Sequence, residues 1–104
     1  MQINLQIKPL SVNECWQGKR YKTPAYNRYE KAVLLLLPKA EIINVERIEI
    51  EFGVSSKLAD IDNPVKPILD ILQKKYGFND RDIFELTIKK VLTKKGQEYI
   101  KITI

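Results

Sequence analysis

The sequence predicts one small α/β domain in which helices pack on a mixed sheet, and three observations carry that expectation. Strand-period and helix-period segments follow one another in the order β-α-β-α-β-β, with no linker, repeat or low-complexity tract between them. The chain has 104 residues, enough for a single core shared by all its chemistry, so residues 1–104 are read as one domain. With 44% hydrophobic and 30% charged residues, the composition is that of a globular chain.

Each element has its own signal. Ile3, Leu5 and Ile7 alternate with Asn4, Gln6 and Lys8, the pattern of a strand with one buried face, and Pro9 ends it. Residues 9–23 read as a polar loop containing Trp16, Gly18, Lys19, Arg20, Tyr21 and Lys22. Thr23 then fits an N-cap and Pro24 a first helical position. Tyr26, Tyr29, Val33, Leu36 and Leu37 recur at helical spacing until Pro38, which assigns the aromatics to the core rather than to base stacking. Ile48, Ile50, Phe52 and Val54 alternate with charged residues in a second strand, followed by the turn-like Ser55-Ser56. Val65, Ile68, Leu69, Leu72 and Tyr76 mark the apolar face of a second helix, with Gly77 as its stop. Phe84, Leu86 and Ile88, a Lys95-Gly96 turn, and Ile100, Ile102 and Ile104 read as a closing hairpin.

Composition excludes several chemistries. There is no histidine, so catalytic units and zinc sites that need one are ruled out. Cys15 is the only cysteine and reads as a small buried hydrophobe. The start, Met1-Gln2-Ile3-Asn4-Leu5, lacks the charge and apolar run of a signal peptide, and Val33–Leu37 is too short to cross a bilayer, which together predict a reducing, cytoplasmic setting. A formal net charge of +5 makes a polyanion such as nucleic acid a fitting partner.

The chemistry gathers in Asp60-Ile61-Asp62-Asn63-Pro64-Val65-Lys66-Pro67-Ile68-Leu69-Asp70, with Asp80 ten residues on. Asn63 is expected to cap the second helix and Pro64 to open it, although Pro67 allows a later start. Asp60 and Asp62, two apart in an expected extended segment, would point to one side, and Asp62, Lys66 and Asp70 would fall along one polar stripe. Taken singly, each has a plain reading as a dipole-compensating acid or an ordinary surface ion pair. Taken together, in a basic chain, they fit an Mg²⁺ site acting on a phosphodiester, where metal-activated water attacks and Lys66 offsets the charge growing on phosphorus.

Asp60-Ile61-Asp62-Asn63-Pro64-Val65-Lys66-Pro67-Ile68-Leu69-Asp70, then Tyr76-Gly77-Phe78-Asn79-Asp80-Arg81-Asp82-Ile83, resembles the signature of the RusA family of Holliday junction resolvases, most strongly over residues 57–88. Pro9-Leu10-Ser11-Val12-Asn13 and the basic loop after it are also similar, less specifically. The resemblance implies a homodimeric endodeoxyribonuclease, dependent on Mg²⁺ with Mn²⁺ as an alternative ion, that nicks four-way DNA junctions at symmetric positions. It implies that Asp60, Asp62 and Asp80 bind the metal, that Lys66 is essential, and that Asn63 and Asp70 support the site. Asn79-Asp80 stands where the family often has two adjacent acids, so Asp82 is an alternative third ligand.

A dimer also follows from symmetry, because a junction is nearly two-fold and needs two matched cuts while this chain holds one site. Lys19, Arg20, Lys22, Lys57, Lys74, Lys75 and Arg81 are the candidate phosphate contacts, and Trp16 and Tyr21 are expected in core or loop packing rather than on bases. Two other functions keep the same fold: a nuclease for flaps or Y-structures, and a non-catalytic DNA-binding dimer.

Overall fold

The fold is known from a computed structural model, which describes residues 1–18 and 21–104. Strands β1 (Gln2–Leu5), β4 (Arg47–Val54), β5 (Glu85–Leu92) and β6 (Tyr99–Thr103) form one sheet in the order β1-β6-β4-β5. β4 runs parallel to β5 and antiparallel to β6, so the sheet is mixed, as expected. A separate ribbon, β2 (Trp16–Gln17) with β3 (Tyr21–Lys22), lies within the stretch read from sequence as plain loop. Two-residue strands carry too little alternation to be seen in a sequence.

Helix α1 (Pro24–Leu36) starts as its residues predict. The Thr23 hydroxyl accepts from the Tyr26 N–H at 3.1 Å, and Pro24 occupies the first turn where its missing N–H costs nothing. Tyr26, Tyr29 and Val33 are buried, as their spacing required. Leu36 departs from the expectation, being 51% exposed, because the helix ends there and the extended backbone at Leu37 turns that side chain inward instead. Helix α2 (Val65–Tyr76) buries Ile68, Leu69, Ile71 and Leu72, and Gly77 closes it with the left-handed φ of 76° that glycine adopts without strain.

One side of the sheet faces both helices. Register places Ile3 opposite Ile102, Ile102 opposite Ile50, and Ile100 opposite Phe52, all buried on that face. Burying each such side chain stabilises the fold by about 1.5–3 kcal/mol. Gln2, Glu49, Glu51, Thr87, Lys89, Lys101 and Thr103 line the other face, which stays polar. Glu30 clamps the helix layer from α1, accepting from Lys74 of α2 at 2.8 Å and from Lys22 at 3.0 Å. Burial pushes its pKa up, but those two hydrogen bonds outweigh the burial and hold its carboxyl below the usual range.

The predicted closing hairpin is not formed. β5 and β6 lie on either side of β4, and the chain between them crosses the end of β4 through a turn in which Gln97 donates to the Lys94 carbonyl at 2.9 Å. Period-2 alternation reports which face of a strand is buried and says nothing about which strand lies beside it. The connection from Leu92 to Tyr99 is long enough to pass one strand, a span of roughly 10 Å. At the crossing, Gly53 is required: a Cβ there would overlap the Tyr99 ring, whose hydroxyl donates to Glu51 at 2.6 Å.

Candidate active site

The acidic segment begins where β4 ends. Lys90, on β5, donates to the Ala59 carbonyl at 2.7 Å and to the Lys57 carbonyl at 3.2 Å, pinning the loop against the sheet just before Asp60. From there the chain makes consecutive turns, with the Asn63 N–H donating to the Asp60 carbonyl at 3.4 Å and the Val65 N–H to the Asp62 carbonyl at 3.1 Å. The extended geometry expected for Asp60 and Asp62 is therefore replaced by turns. Asn63 does not cap α2 either: Pro64 takes the N-cap position, and the Asn63 side-chain amide donates to the Asp60 carboxylate at 3.4 Å. A proline directly ahead of the helix leaves no room for the side-chain cap geometry that Asn63 would need one residue later. The Asn63 carbonyl accepts from the Val12 N–H at 2.8 Å. That bond joins the Pro9–Asn13 segment to the acidic segment through backbone alone.

Lys66 and Pro67 both lie inside the first turn of α2, where Pro67 lacks only an N–H that has no helical partner. Of the predicted polar stripe the helical part is present, Lys66 Nζ donating to Asp70 Oδ1 at 2.9 Å one turn along, whereas Asp62 lies in the turn ahead of the helix. The stripe continues to Gln73, whose side-chain oxygen accepts from the Asp80 N–H at 2.9 Å and whose nitrogen donates to the Leu69 carbonyl at 3.1 Å. Asp80 opens the 3-10 turn Asp80–Asp82, where the Asn79 side chain accepts from the Arg81 N–H at 3.0 Å.

Electrostatics separates Asp80 from Asp82. The Lys66 ammonium is held above its usual pKa, chiefly by the hydrogen bond to Asp70, which together with the charges of Asp70 and Asp80 outweighs the opposing effect of burial. Lys66 therefore stays a cation, paired with Asp70 and within the field of Asp80. Asp82 lies instead beside Gly77, Phe78, Phe84 and Ile42–Glu46, along a different cavity. Asp62 and Lys66 border a third region, a groove of about 390 Å³ that is otherwise lined by Ile61, Val65, Leu69, Leu86 and Ile88.

Among the described residues, no three carboxylates converge into a ready-made cage for a metal ion. The donor set still fits one kind of cation. Asp60, Asp62 and Asp80 are exposed oxygen donors, and Mg²⁺ is commonly held by one or two carboxylates, with water and substrate phosphate completing its shell. Cys15 has no part in this: its side chain is buried, its Sγ donates to the Ser11 carbonyl at 3.3 Å, and burial, helped by Glu14 and Asp70, pushes its thiol up to about 11.

The sequence from residue 8 to residue 104 matches the family model for Endodeoxyribonuclease RusA. The chain belongs to the RusA family. No curated protein matches it. Membership makes the protein a nuclease of an endodeoxyribonuclease family, the class its acids and lysine pointed to.

In this RusA-family chain the candidate DNA contacts are not equivalent. Lys22 and Lys74 are engaged with Glu30, and Lys22 also lies 5.2 Å from the centre of the Tyr26 ring. Lys75 reaches back to the Leu34 carbonyl at 3.5 Å. Lys57 and Arg81 are exposed, each next to one of the site's loops. Lys19 and Arg20 lie outside the described residues. Trp16 packs edge-on against Tyr26, 5.9 Å between ring centres, which is the loop packing expected of it, whereas Tyr21 is 73% exposed. Two residues that hold the site were missed in the sequence, Gln73 and Lys90. Gln73 was legible, since it continues the Lys66 and Asp70 stripe at helical spacing; Lys90 had no signal, because its role depends on β5 lying beside the end of β4.

Proposed function

We propose that the protein is an Mg²⁺-dependent, structure-specific endonuclease that resolves four-way DNA junctions by paired, symmetric nicks as a homodimer in the cytoplasm. The observation that supports this most is the start of α2, which pairs Lys66 with Asp70 at 2.9 Å directly after the Asp60 and Asp62 turns, with Asp80 tied to the same helix through Gln73. In this reading Asp60 and Asp62 hold the cation, with Asp80 completing the set in preference to Asp82. The bound cation supplies Lewis acidity and a lowered pKa for a water beside the scissile phosphate. Lys66 faces the phosphoryl oxygens, where negative charge accumulates as phosphorus becomes five-coordinate, and as a fixed cation it lowers that barrier. Asp70 holds Lys66 in place through its 2.9 Å bond, and Gln73 holds Asp80 through the backbone. Lys57 and Arg81 contribute phosphate contacts whose strength falls with salt.

Incubation with labelled four-way, Y-shaped and linear DNAs tests the reading. Nicking of the four-way junction is expected with Mg²⁺ or Mn²⁺, and none with a chelator present. Cleavage that persists in excess chelator, or that favours Y-structures over junctions, would refute it.

A further inference from the structure

An exposed leucine stands beside the candidate metal-binding acids. Leu58 is 84% exposed and lies two residues before Asp60, with exposed Lys57 next to it. One exposed apolar side chain is ordinary on a protein surface. This one differs in how firmly its backbone is held. Ser56–Ala59 is a tight turn with Lys57 and Leu58 at its centre, closed by the Ala59 N–H donating to the Ser56 carbonyl at 3.2 Å. The Leu58 N–H donates to the Ser56 hydroxyl at 3.2 Å, and Lys90 holds the carbonyls of the residues on both sides, Lys57 at 3.2 Å and Ala59 at 2.7 Å. Where the turn leaves β4, the Ser55 hydroxyl donates to the Glu98 carboxylate at 3.0 Å. Ile61, three residues on, lines the groove beside α2, and Leu58 does not. The turn therefore presents a fixed apolar knob to solvent, at a position that small polar residues and glycine usually fill.

We propose that Leu58 is the wedge by which the protein distinguishes branched from linear DNA, its side chain entering the base stack at the branch point beside the phosphate to be cut. The proposal rests on the nuclease reading of the preceding section and names the residue behind its selectivity for shape. Two residues of chain span at most about 7 Å, and each nucleotide of one strand rises about 3.4 Å, so the knob reaches a base step within about two nucleotides of the phosphate at Asp60. Lys57 and the cation site flank the leucine and both draw phosphate, which leaves the apolar side chain facing the bases. Leucine and similar side chains act in this way in proteins that kink DNA, inserted between base steps. Opening a step costs stacking free energy in a continuous duplex and much less where the stack is already interrupted, so burying the leucine is a net gain at a branch and not in linear DNA. A mobile loop would lose part of that gain on being ordered, and the bonds that fix this turn remove the loss.

2-Aminopurine, which brightens when it unstacks, reports the event without cleavage. Placed at that step of a four-way junction, with chelator present, it is expected to brighten when the wild type binds. Leu58→Ser is expected to bind without the brightening and Leu58→Met to restore it, both with the thermal midpoint of the wild type because the position is exposed. The substitution touches no charge, so the salt dependence of binding should stay unchanged while the preference for junction over linear duplex falls about tenfold, the scale of one leucine no longer buried. Brightening and preference that survive in Leu58→Ser, beside a wild type that cuts junctions selectively, would overturn the wedge and leave the nuclease reading standing. A loss shared equally by linear duplex, or matched by a lower thermal midpoint, would also overturn it. Brightening by the wild type that Leu58→Ser abolishes, with no cleavage in Mg²⁺, would uphold the wedge and refute the nuclease reading instead.

Discussion

Asp60→Asn, Asp62→Asn and Asp80→Asn are each expected to abolish junction cleavage while leaving junction binding intact or tighter. An amide keeps the size of a carboxylate but removes the charge that holds a divalent cation. It also removes repulsion against the phosphate that must approach, so affinity has no reason to fall. All three carboxylates are exposed and none holds the core together, so the variants should fold normally. Gel-shift binding without metal, beside cleavage with Mg²⁺, separates the two effects. Near-normal nicking by any one variant would remove that residue from the site. Asp82→Asn serves as the internal control: it lies along another cavity and is expected to cut at close to the wild-type rate.

Lys66→Ala is expected to slow cleavage by about 10²–10³-fold, the usual cost of losing one donor aimed at charge that develops in the transition state. Binding should change little, because Lys66 is one cation among the 18 lysines and arginines of the chain. An interaction felt only in the transition state lowers the rate and spares affinity. Single-turnover rates at saturating enzyme read the first quantity, and a salt titration of binding reads the second. Equal losses in rate and affinity, both recovered at low salt, would make Lys66 a docking residue and take it out of the chemistry.

Much of this architecture is local, and what is local was legible. Thr23-Pro24 starts α1, Gly77 ends α2, and the alternation in β4 marks its buried face, because each signal is written within a few residues of where it acts. The Lys66 to Asp70 pair was legible for the same reason, four residues on one helix face fixing the contact. What failed was pairing at a distance. Ile100 and Ile102 alternate identically whether β6 sits beside β5 or beside β4, so the hairpin reading had no means of detecting the strand between them. Asn63 misled because its type is right for a cap, while the proline after it moved the helix start along by one. The attachment of Asp80 to α2 depends on the fold of residues 77–80 and on Gln73, so sequence order named the acid but could not place it.

The most direct test of the central claim is a strand-by-strand map of the nicks made in a four-way junction, with Mg²⁺ and a large excess of linear duplex of the same length. Two identical sites fixed about one axis predict cuts at symmetric positions on opposing strands, at a rate the linear competitor barely changes, because linear DNA offers charge without the crossing geometry. Scattered nicks along all four strands, suppressed in proportion to the competitor, would contradict the account and leave a nuclease without selectivity for junctions.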